Sequence, residues 1–159
     1  MTQTIPPPRP VTPTSTSTSP APILATPAAA TVLVIEDNII NQTVLSRQLR
    51  QAGFSVLTAD NGQQGLTSLD EHRETVSIVL CDLEMPVMDG MTFIKHIVRL
   101  REMGQLQGLP ILAVTGNARL EQVQAAKDAG FDDVVCKPYS IKKLVPMMRD
   151  WIAEASMDA

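Results

Sequence analysis

Short, mostly apolar runs alternate with longer segments of helical spacing between residues 31 and 153. The runs cover residues 31–35, 55–59, 77–81, 111–114 and 133–136. Apolar runs of this length are typical of strands covered on both faces of a parallel sheet. The intervening segments predict helices over residues 38–52, 62–71, 91–103, 118–129 and 141–153.

The first of these predicted helices has an apolar face and a clear end. Its residues Ile40, Val44, Leu45 and Leu49 recur at roughly helical spacing, so we expect them on the side that faces the core. Gly53 follows directly and favours the end of the helix.

Strict alternation of strand and helix predicts an α/β fold with helices on both faces of the sheet. Five strand–helix units lie between residues 31 and 153, which matches the flavodoxin-like doubly wound fold. We therefore expect a five-stranded parallel sheet of strand order 2-1-3-4-5 with five helices.

Residues 1–30 differ in composition from the rest of the chain. They contain eight of the twelve prolines together with many threonine, serine and alanine residues. Such a composition buries too little apolar surface to offset the entropy lost on ordering. We predict a disordered linker over residues 1–30 and one folded domain over residues 31–159.

Charge and hydropathy exclude some classes of function. Arg9 is the only charged residue before Thr31, and the chain as a whole carries a net charge of −4. An acidic domain argues against a nucleic-acid surface, and no apolar run approaches the roughly 20 residues of a membrane span. The first residues also lack the apolar region of a secretory signal. We expect a cytoplasmic chain with no membrane contact.

Residues suited to phosphoryl chemistry follow the predicted central strands. Glu36 and Asp37 follow the first strand, Asp82 the third, Thr115 the fourth and Lys137 the fifth. The carboxyl ends of these strands meet at one edge of the sheet, where ligands bind in such folds. Close carboxylates need a cation, and oxygen ligands favour Mg²⁺. With a lysine and a hydroxyl beside them, they can accept a phosphoryl group.

Four segments carry a resemblance to a known family. They are VIEDN at residues 34–38, CDLEMPVMDG at 81–90, AVTGNA at 113–118 and DVVCKPY at 133–139. Together they resemble the receiver domains of response regulators and hybrid histidine kinases, above all fungal ones.

The resemblance implies a role for each residue of the crevice. Asp82 is the phosphoacceptor, and Asp37 and Asp82 bind Mg²⁺ together with the main-chain carbonyl of Glu84. Glu36 acts on the ion mostly through water. Thr115 and Lys137 bind the phosphoryl group, and the peptide bond between Lys137 and Pro138 is cis.

The resemblance also implies partners. They are a histidine kinase or a histidine-phosphotransfer (HPt) protein, with a weak homodimer as a further association. We expect Ile39 to be exposed beside the crevice and to dock on an HPt helix bundle, with Asn41 or Gln42 at the rim. One departure from the family is Val134, which occupies a position that is usually aromatic.

Two other interpretations remain. A pseudo-receiver binds its partner without phosphorylation, but such domains usually lose the acidic pair, the aspartate or the lysine, all present here. A phosphatase of the haloacid-dehalogenase type is an enzyme that phosphorylates its own aspartate. That class has the motif D-x-D, whereas this chain has Asp82 followed by Leu83 and Glu84. We therefore expect a signalling phosphoacceptor and not an enzyme.

Overall fold

The computed structural model describes residue 4, residues 29–85 and residues 87–157. The predicted linker over residues 1–30 lies outside the described residues, apart from residues 4, 29 and 30. Its disorder therefore stays a prediction. Within the described residues no helix is both long and apolar enough to cross a membrane.

The sheet has five parallel strands in the order β2-β1-β3-β4-β5, as the alternation predicts. The strands are β1 (Thr31–Ile35), β2 (Ser55–Ala59), β3 (Val76–Asp82), β4 (Ile111–Thr115) and β5 (Asp133–Cys136). The inner strands β1 and β4 are buried along their whole length, whereas the edge strand β2 has two exposed, two half-buried and one buried residue. Their apolar runs thus reflect helices on both faces of the sheet.

Five helices connect and follow the strands. They are α1 (Ile39–Gln51), α2 (Gly62–His72), α3 (Gly90–Glu102), α4 (Leu120–Ala129) and α5 (Ile141–Met157). The fold is therefore the predicted flavodoxin-like one. The largest differences from the predicted bounds are at α4, which begins two residues later, and α5, which continues four residues further.

Two apolar cores lie on opposite faces of the sheet. On one face Phe93 and Ile97 of α3 pack with Leu33 and Ile35 of β1. On the other face helices α1 and α5 pack against the alternate residues of the same strand, Val32 and Val34. Alternation along β1 therefore contributes to both cores, as expected for side chains of a strand.

The prediction for the buried face of α1 is partly wrong. Leu45 and Leu49 are buried, but the side chain of Ile40 is 70% exposed and that of Val44 is 50% exposed. The residues of α1 that face the sheet are Gln42, Leu45, Ser46 and Leu49. These four positions have the i, i+3, i+4, i+7 spacing of one helix face, which the apolar residues alone do not have. Two of the four, Gln42 and Ser46, are polar and occupy part of the interface with the sheet.

Candidate functional site

The register of the sheet brings the predicted residues to one level. Ile35 lies opposite Cys81 in the β1–β3 pair, so Glu36 and Asp82 come next on adjacent strands. Asp82 in turn lies opposite Val114, and Thr115 lies opposite Cys136. The side chains at the carboxyl ends of β1, β3, β4 and β5 therefore meet in one crevice, as the sequence predicts.

Three carboxylates form the floor and one wall of this crevice. Glu36, Asp37 and Asp82 each offer an oxygen, and these oxygens lie within 4.8 Å of one another. Glu36 and Asp82 are buried, whereas Asp37 is exposed. Carboxylates this close repel one another unless a cation joins them, and hard divalent cations prefer oxygen ligands of this kind. The donor set therefore fits Mg²⁺.

Asp82 is held by one hydrogen bond at each carboxylate oxygen. The backbone N–H of Glu84 donates to Oδ1 at 3.0 Å, and Nζ of Lys137 donates to Oδ2 at 3.0 Å. Burial raises the pKa of Asp82 above its ordinary value, and neighbouring Glu36 raises it further, although these two hydrogen bonds oppose the change. Asp82 is thus oriented by donors that favour its charged form within surroundings that disfavour charge.

Lys137 is the cation of the crevice. Its Nζ lies 3.0 Å from Oδ2 of Asp82 and 3.5 Å from Oε2 of Glu36. Burial by itself lowers the pKa of Lys137, but the hydrogen bond to Asp82 and the charges of Asp82 and Glu36 outweigh it. The pKa is therefore raised and the side chain stays charged. The peptide bond between Lys137 and Pro138 is cis, as the resemblance implies.

The hydroxyl of Thr115 is already engaged in two hydrogen bonds. It donates to Oε1 of Glu84 at 2.7 Å and accepts from the backbone N–H of Asn117 at 3.0 Å. Sequence reasoning assigned Glu84 only a main-chain role, and it missed this side-chain contact. No local pattern reveals the contact, because it joins the end of β4 to the loop after β3, and the two residues are 31 positions apart in sequence.

The loop after β1 is braced from α1. The backbone N–H of Asn38 donates to Oε1 of Glu36 at 3.2 Å, and Nδ2 of Asn41 donates to the same oxygen at 3.5 Å. Asn41 or Gln42 was predicted at the rim of a docking surface. Asn41 is exposed, whereas Gln42 is only 6% exposed and is therefore not the rim residue. It points into the protein, where it donates to the main-chain carbonyl of Glu36.

The crevice opens into a cavity of about 300 Å³ between α1 and the segment after β5. Its lining includes Glu36, Asp82 and Lys137 together with Val44 and Tyr139. Tyr139 packs with the α1 and α5 core, whereas Val134 packs with the core on the opposite face. Tyr139 therefore does not replace an aromatic side chain at position 134.

Comparison with known proteins agrees with this geometry. A family model described as response regulator receiver domain matches residues 32–149. The chain is 35% identical over 121 residues to two-component system protein A of Emericella nidulans, covering 76% of this chain. It is 35% identical over 114 residues to the peroxide stress-activated histidine kinase mak1 of Schizosaccharomyces pombe, covering 71% of this chain. The chain spans only 17% and 7% of the lengths of these two relatives.

Solved structures with the same fold include two receiver domains. One is the receiver domain of the sensor histidine kinase PA1611 from Pseudomonas aeruginosa, with a magnesium ion coordinated in its active-site cleft. It is 30% identical, with a TM-score of 0.69, and 79% of this chain and 99% of that one are covered. The other is the receiver domain of Ssk1 from Saccharomyces cerevisiae, in complex with the histidine phosphotransfer protein Ypd1. That match is 26% identical, with a TM-score of 0.72, and 79% of this chain and 90% of that one are covered.

Proposed function

Since the chain belongs to the response regulator receiver domain family, we propose that Asp82 accepts a phosphoryl group from a phosphohistidine in a Mg²⁺-dependent reaction. The observation that carries the proposal is the arrangement around Asp82. One of its oxygens lies 3.0 Å from the charged Nζ of Lys137, and two further carboxylates stand within 4.8 Å. This combination suits transfer of a doubly charged group to a carboxylate.

The reaction moves one phosphoryl group between two side chains. A carboxylate oxygen of Asp82 forms a bond to phosphorus while the bond from phosphorus to the donor imidazole nitrogen breaks. The imidazole keeps the electron pair of that bond. The products are an aspartyl phosphate and a free histidine, so no oxidant or reductant is needed. The chain acts as a signalling phosphoacceptor and contributes to its own phosphorylation.

Glu36, Asp37 and Asp82, with the main-chain carbonyl of Glu84, would hold the Mg²⁺ ion. When bound, the ion supplies positive charge that offsets the carboxylates and the phosphoryl oxygens. The carboxylate cluster supports this assignment, because its three residues offer oxygens and the described part of the chain adds no nitrogen or sulfur ligand to it.

Lys137 and Thr115 bind the transferred group. Nζ of Lys137 already lies at Asp82, so it can donate to a phosphoryl oxygen attached there. The hydroxyl of Thr115 first has to leave Oε1 of Glu84, to which it now donates. We therefore include in the proposal that phosphorylation replaces the hydrogen bond from Thr115 to Glu84 by one from Thr115 to the phosphoryl group.

The donor is a histidine kinase or an HPt protein within a phosphorelay. Two findings support such a partner: the curated relatives include a histidine kinase, and the matched Ssk1 receiver binds Ypd1. The apolar side chains of Ile39 and Ile40, both largely exposed, stand next to the crevice at the start of α1. A cytoplasmic location and a weak homodimer belong to the same proposal and rest on the sequence alone.

Replacement of Asp82 by asparagine tests the proposal. An amide has nearly the same shape as a carboxylate but is a poor nucleophile, so Asp82→Asn should not be phosphorylated by acetyl phosphate and Mg²⁺. Circular dichroism should show an unchanged fold. The matched control is Asp89→Asn, since Asp89 caps α3 through Oδ1 and asparagine caps a helix equally well.

The outcomes separate the alternatives. Phosphorylation of Asp82→Asn at the level of the unmodified chain would show that another residue is the acceptor. If the unmodified chain takes up no phosphoryl group from acetyl phosphate or phospho-HPt donors, the pseudo-receiver interpretation replaces the proposed function. Phosphorylation is followed by mass spectrometry and phosphate-affinity electrophoresis.

A further inference from the structure

Gln42 is a polar side chain buried between α1 and the sheet. Only 6% of it is exposed, and it shares the buried face of α1 with Leu45, Ser46 and Leu49. An unpaired amide at such a place would be destabilising, because burial removes its hydrogen bonds to water. Its contacts therefore explain why a glutamine is accommodated there.

Nε2 of Gln42 lies within hydrogen-bond distance of three oxygen acceptors, which share its two N–H donors. It lies 3.0 Å from the main-chain carbonyl of Glu36, 3.2 Å from that of Ala59, and 3.0 Å from Oδ1 of Asp60. Glu36 directly follows β1, Ala59 is the last residue of β2, and Asp60 follows it. One side chain of α1 thus joins the carboxyl ends of two neighbouring strands.

These contacts hold the peptide that leads into the carboxylate cluster. The backbone N–H of Glu36 donates to Ala59 at 3.0 Å, and the carbonyl of Glu36 accepts from Gln42. Both main-chain polar groups of Glu36 are therefore tied to the end of β2. The next residue is Asp37, whose exposed carboxylate completes the cluster with Glu36 and Asp82.

The carboxylate of Asp37 depends on this anchoring. It lies in the short segment of three residues between β1 and α1, and the orientation of the peptide before it decides where the side chain points. Loss of the contact to the Glu36 carbonyl would let that peptide rotate. Precise placement matters, because ligands held by hydrogen bonds bind a metal more tightly than ligands that must first be ordered.

We propose that Gln42 is a positioning residue for the cation site: by clamping the carbonyl of Glu36 to the end of β2, it holds Glu36 and Asp37 in the arrangement that binds the ion. The inference rests on the proposed function, which requires a Mg²⁺ site at these carboxylates. Gln42 itself does not contact the ion, since its side chain donates to main-chain carbonyls and not to the carboxylates that bind the ion.

The coupling between Mg²⁺ binding and the contacts of Gln42 must be mutual. If the contacts of Gln42 favour binding of Mg²⁺ by some factor, binding of Mg²⁺ must favour the contacts of Gln42 by the same factor. Saturation with Mg²⁺ should therefore suppress opening of the Gln42 contacts in the unmodified chain, and slow hydrogen exchange of its side-chain amide accordingly.

The first experiment replaces Gln42 by methionine, which has a similar length and helix propensity but no N–H donor. We expect the dissociation constant for Mg²⁺, measured by calorimetry, to rise by about tenfold or more, as when other partners of metal ligands are removed. The matched control is Gln51→Met at the end of the same helix, because Gln51 is exposed and does not line the cavity of the site. Asp37→Ala serves as the variant that loses a direct ligand.

Two measurements distinguish a positioning role of Gln42 from a purely structural one. Thermal unfolding in the absence of divalent cations shows how much stability Gln42→Met loses, and the Mg²⁺ titration of the folded variant shows what its site loses. A folded variant with unchanged Mg²⁺ affinity would overturn the inference. If the unmodified chain itself binds no Mg²⁺, the proposed function fails and not the role of Gln42 alone.

The second experiment needs no variant. Exchange of the Gln42 side-chain amide protons is measured by NMR in the unmodified chain, with and without saturating Mg²⁺. We expect exchange to slow by about the factor by which Gln42→Met weakens binding, on the order of tenfold. An exchange rate that Mg²⁺ leaves unchanged contradicts the inference even if Gln42→Met fails to fold.

Discussion

At the scale of single residues, the crevice balances charge rather than excluding it. Asp82 and Glu36 are both buried, and one ammonium group, that of Lys137, lies 3.0 Å from the first and 3.5 Å from the second. Burial raises the pKa of Asp82, and the hydrogen bond from Lys137 opposes that rise. In the proposed function, Lys137 therefore pairs with the carboxylates before phosphorylation and with the phosphoryl group after it.

Replacement of Lys137 by alanine should separate these two roles. We expect phosphorylation by acetyl phosphate to slow by about a hundredfold, because one donor to the developing negative charge is lost. Affinity for Mg²⁺ should be kept or increased, since a positive charge leaves the pocket of carboxylates. Phosphorylation rates and Mg²⁺ calorimetry measure the two effects.

Lys142→Ala is the control for Lys137→Ala, because Lys142 lies in the first turn of α5 and is fully on the surface. The phosphorylation rate and the Mg²⁺ affinity of this control should match those of the unmodified chain. A large loss of Mg²⁺ affinity in Lys137→Ala would show that the lysine organises the metal site, contrary to the role assigned to it.

At the scale of elements, the helices begin close to the carboxyl edge of the sheet, where the site lies. Asn38, Asn61 and Asp89 cap α1, α2 and α3 through side-chain oxygens. The loops before α1 and α2 have three and two residues, and the loop before α3 has seven. Among the glycines, the tightest approach to main-chain atoms is at Gly90, where α3 starts. A Cβ atom there would lie 2.7 Å from the carbonyl oxygen of Asp82 and 2.8 Å from Cα of Leu83.

Gly90→Ala should therefore push the start of α3 away from the end of β3. Both clashing atoms are main chain, so they cannot move aside as a flexible side chain could. We expect the free energy of unfolding, measured by urea denaturation, to fall by about 1–3 kcal/mol, as for other overpacked sites. Phosphorylation should fall as well, because the loop next to Asp82 is displaced.

Gly116→Ala provides the matched control for Gly90→Ala. A Cβ atom at Gly116 would meet nothing within 4 Å, so its stability should change little. Equal losses in both variants would mean that the close approach at Gly90 is not the cause.

At the scale of the whole molecule, the crevice carries an apolar patch beside its opening, formed by Ile39, Ile40 and Val44. Their side chains are 64%, 70% and 50% exposed. The expected exposure of Ile39 is confirmed, and the two residues expected in the core enlarge the patch. Val44 and Asp82 line the same cavity, so the patch borders the opening through which the proposed donor histidine would reach Asp82.

Ile39→Asp should slow transfer from a phospho-HPt protein by more than about tenfold, because a charge replaces an apolar anchor of the interface. Phosphorylation by acetyl phosphate should stay near normal, since this small donor needs no docking surface. Met103→Asp is the control, because Met103 is 56% exposed but follows α3, which packs on the opposite face of the sheet from α1. Equal losses with both donors in Ile39→Asp would place its effect on the fold or the site instead of docking.

The sequence by itself determined the strands, their order and the residues at their carboxyl ends. Continuous apolar runs such as residues 31–35 reveal burial on both faces, and strict alternation with helices leaves a doubly wound sheet as the consistent arrangement. Glu36, Asp37, Asp82, Thr115 and Lys137 then converge because parallel strands share one carboxyl edge. This inference needs only local pattern and topology.

Only the tertiary structure decided which polar side chains brace these residues. Gln42 donates to Asp60 across 18 positions of sequence, and Thr115 donates to Glu84 across 31. Apolar periodicity could not assign the buried face of α1 correctly, since Ile40 looks like a core residue and Gln42 like a surface one. A polar side chain is buried where its hydrogen-bond partners are, and the positions of those partners follow from how separate loops pack together.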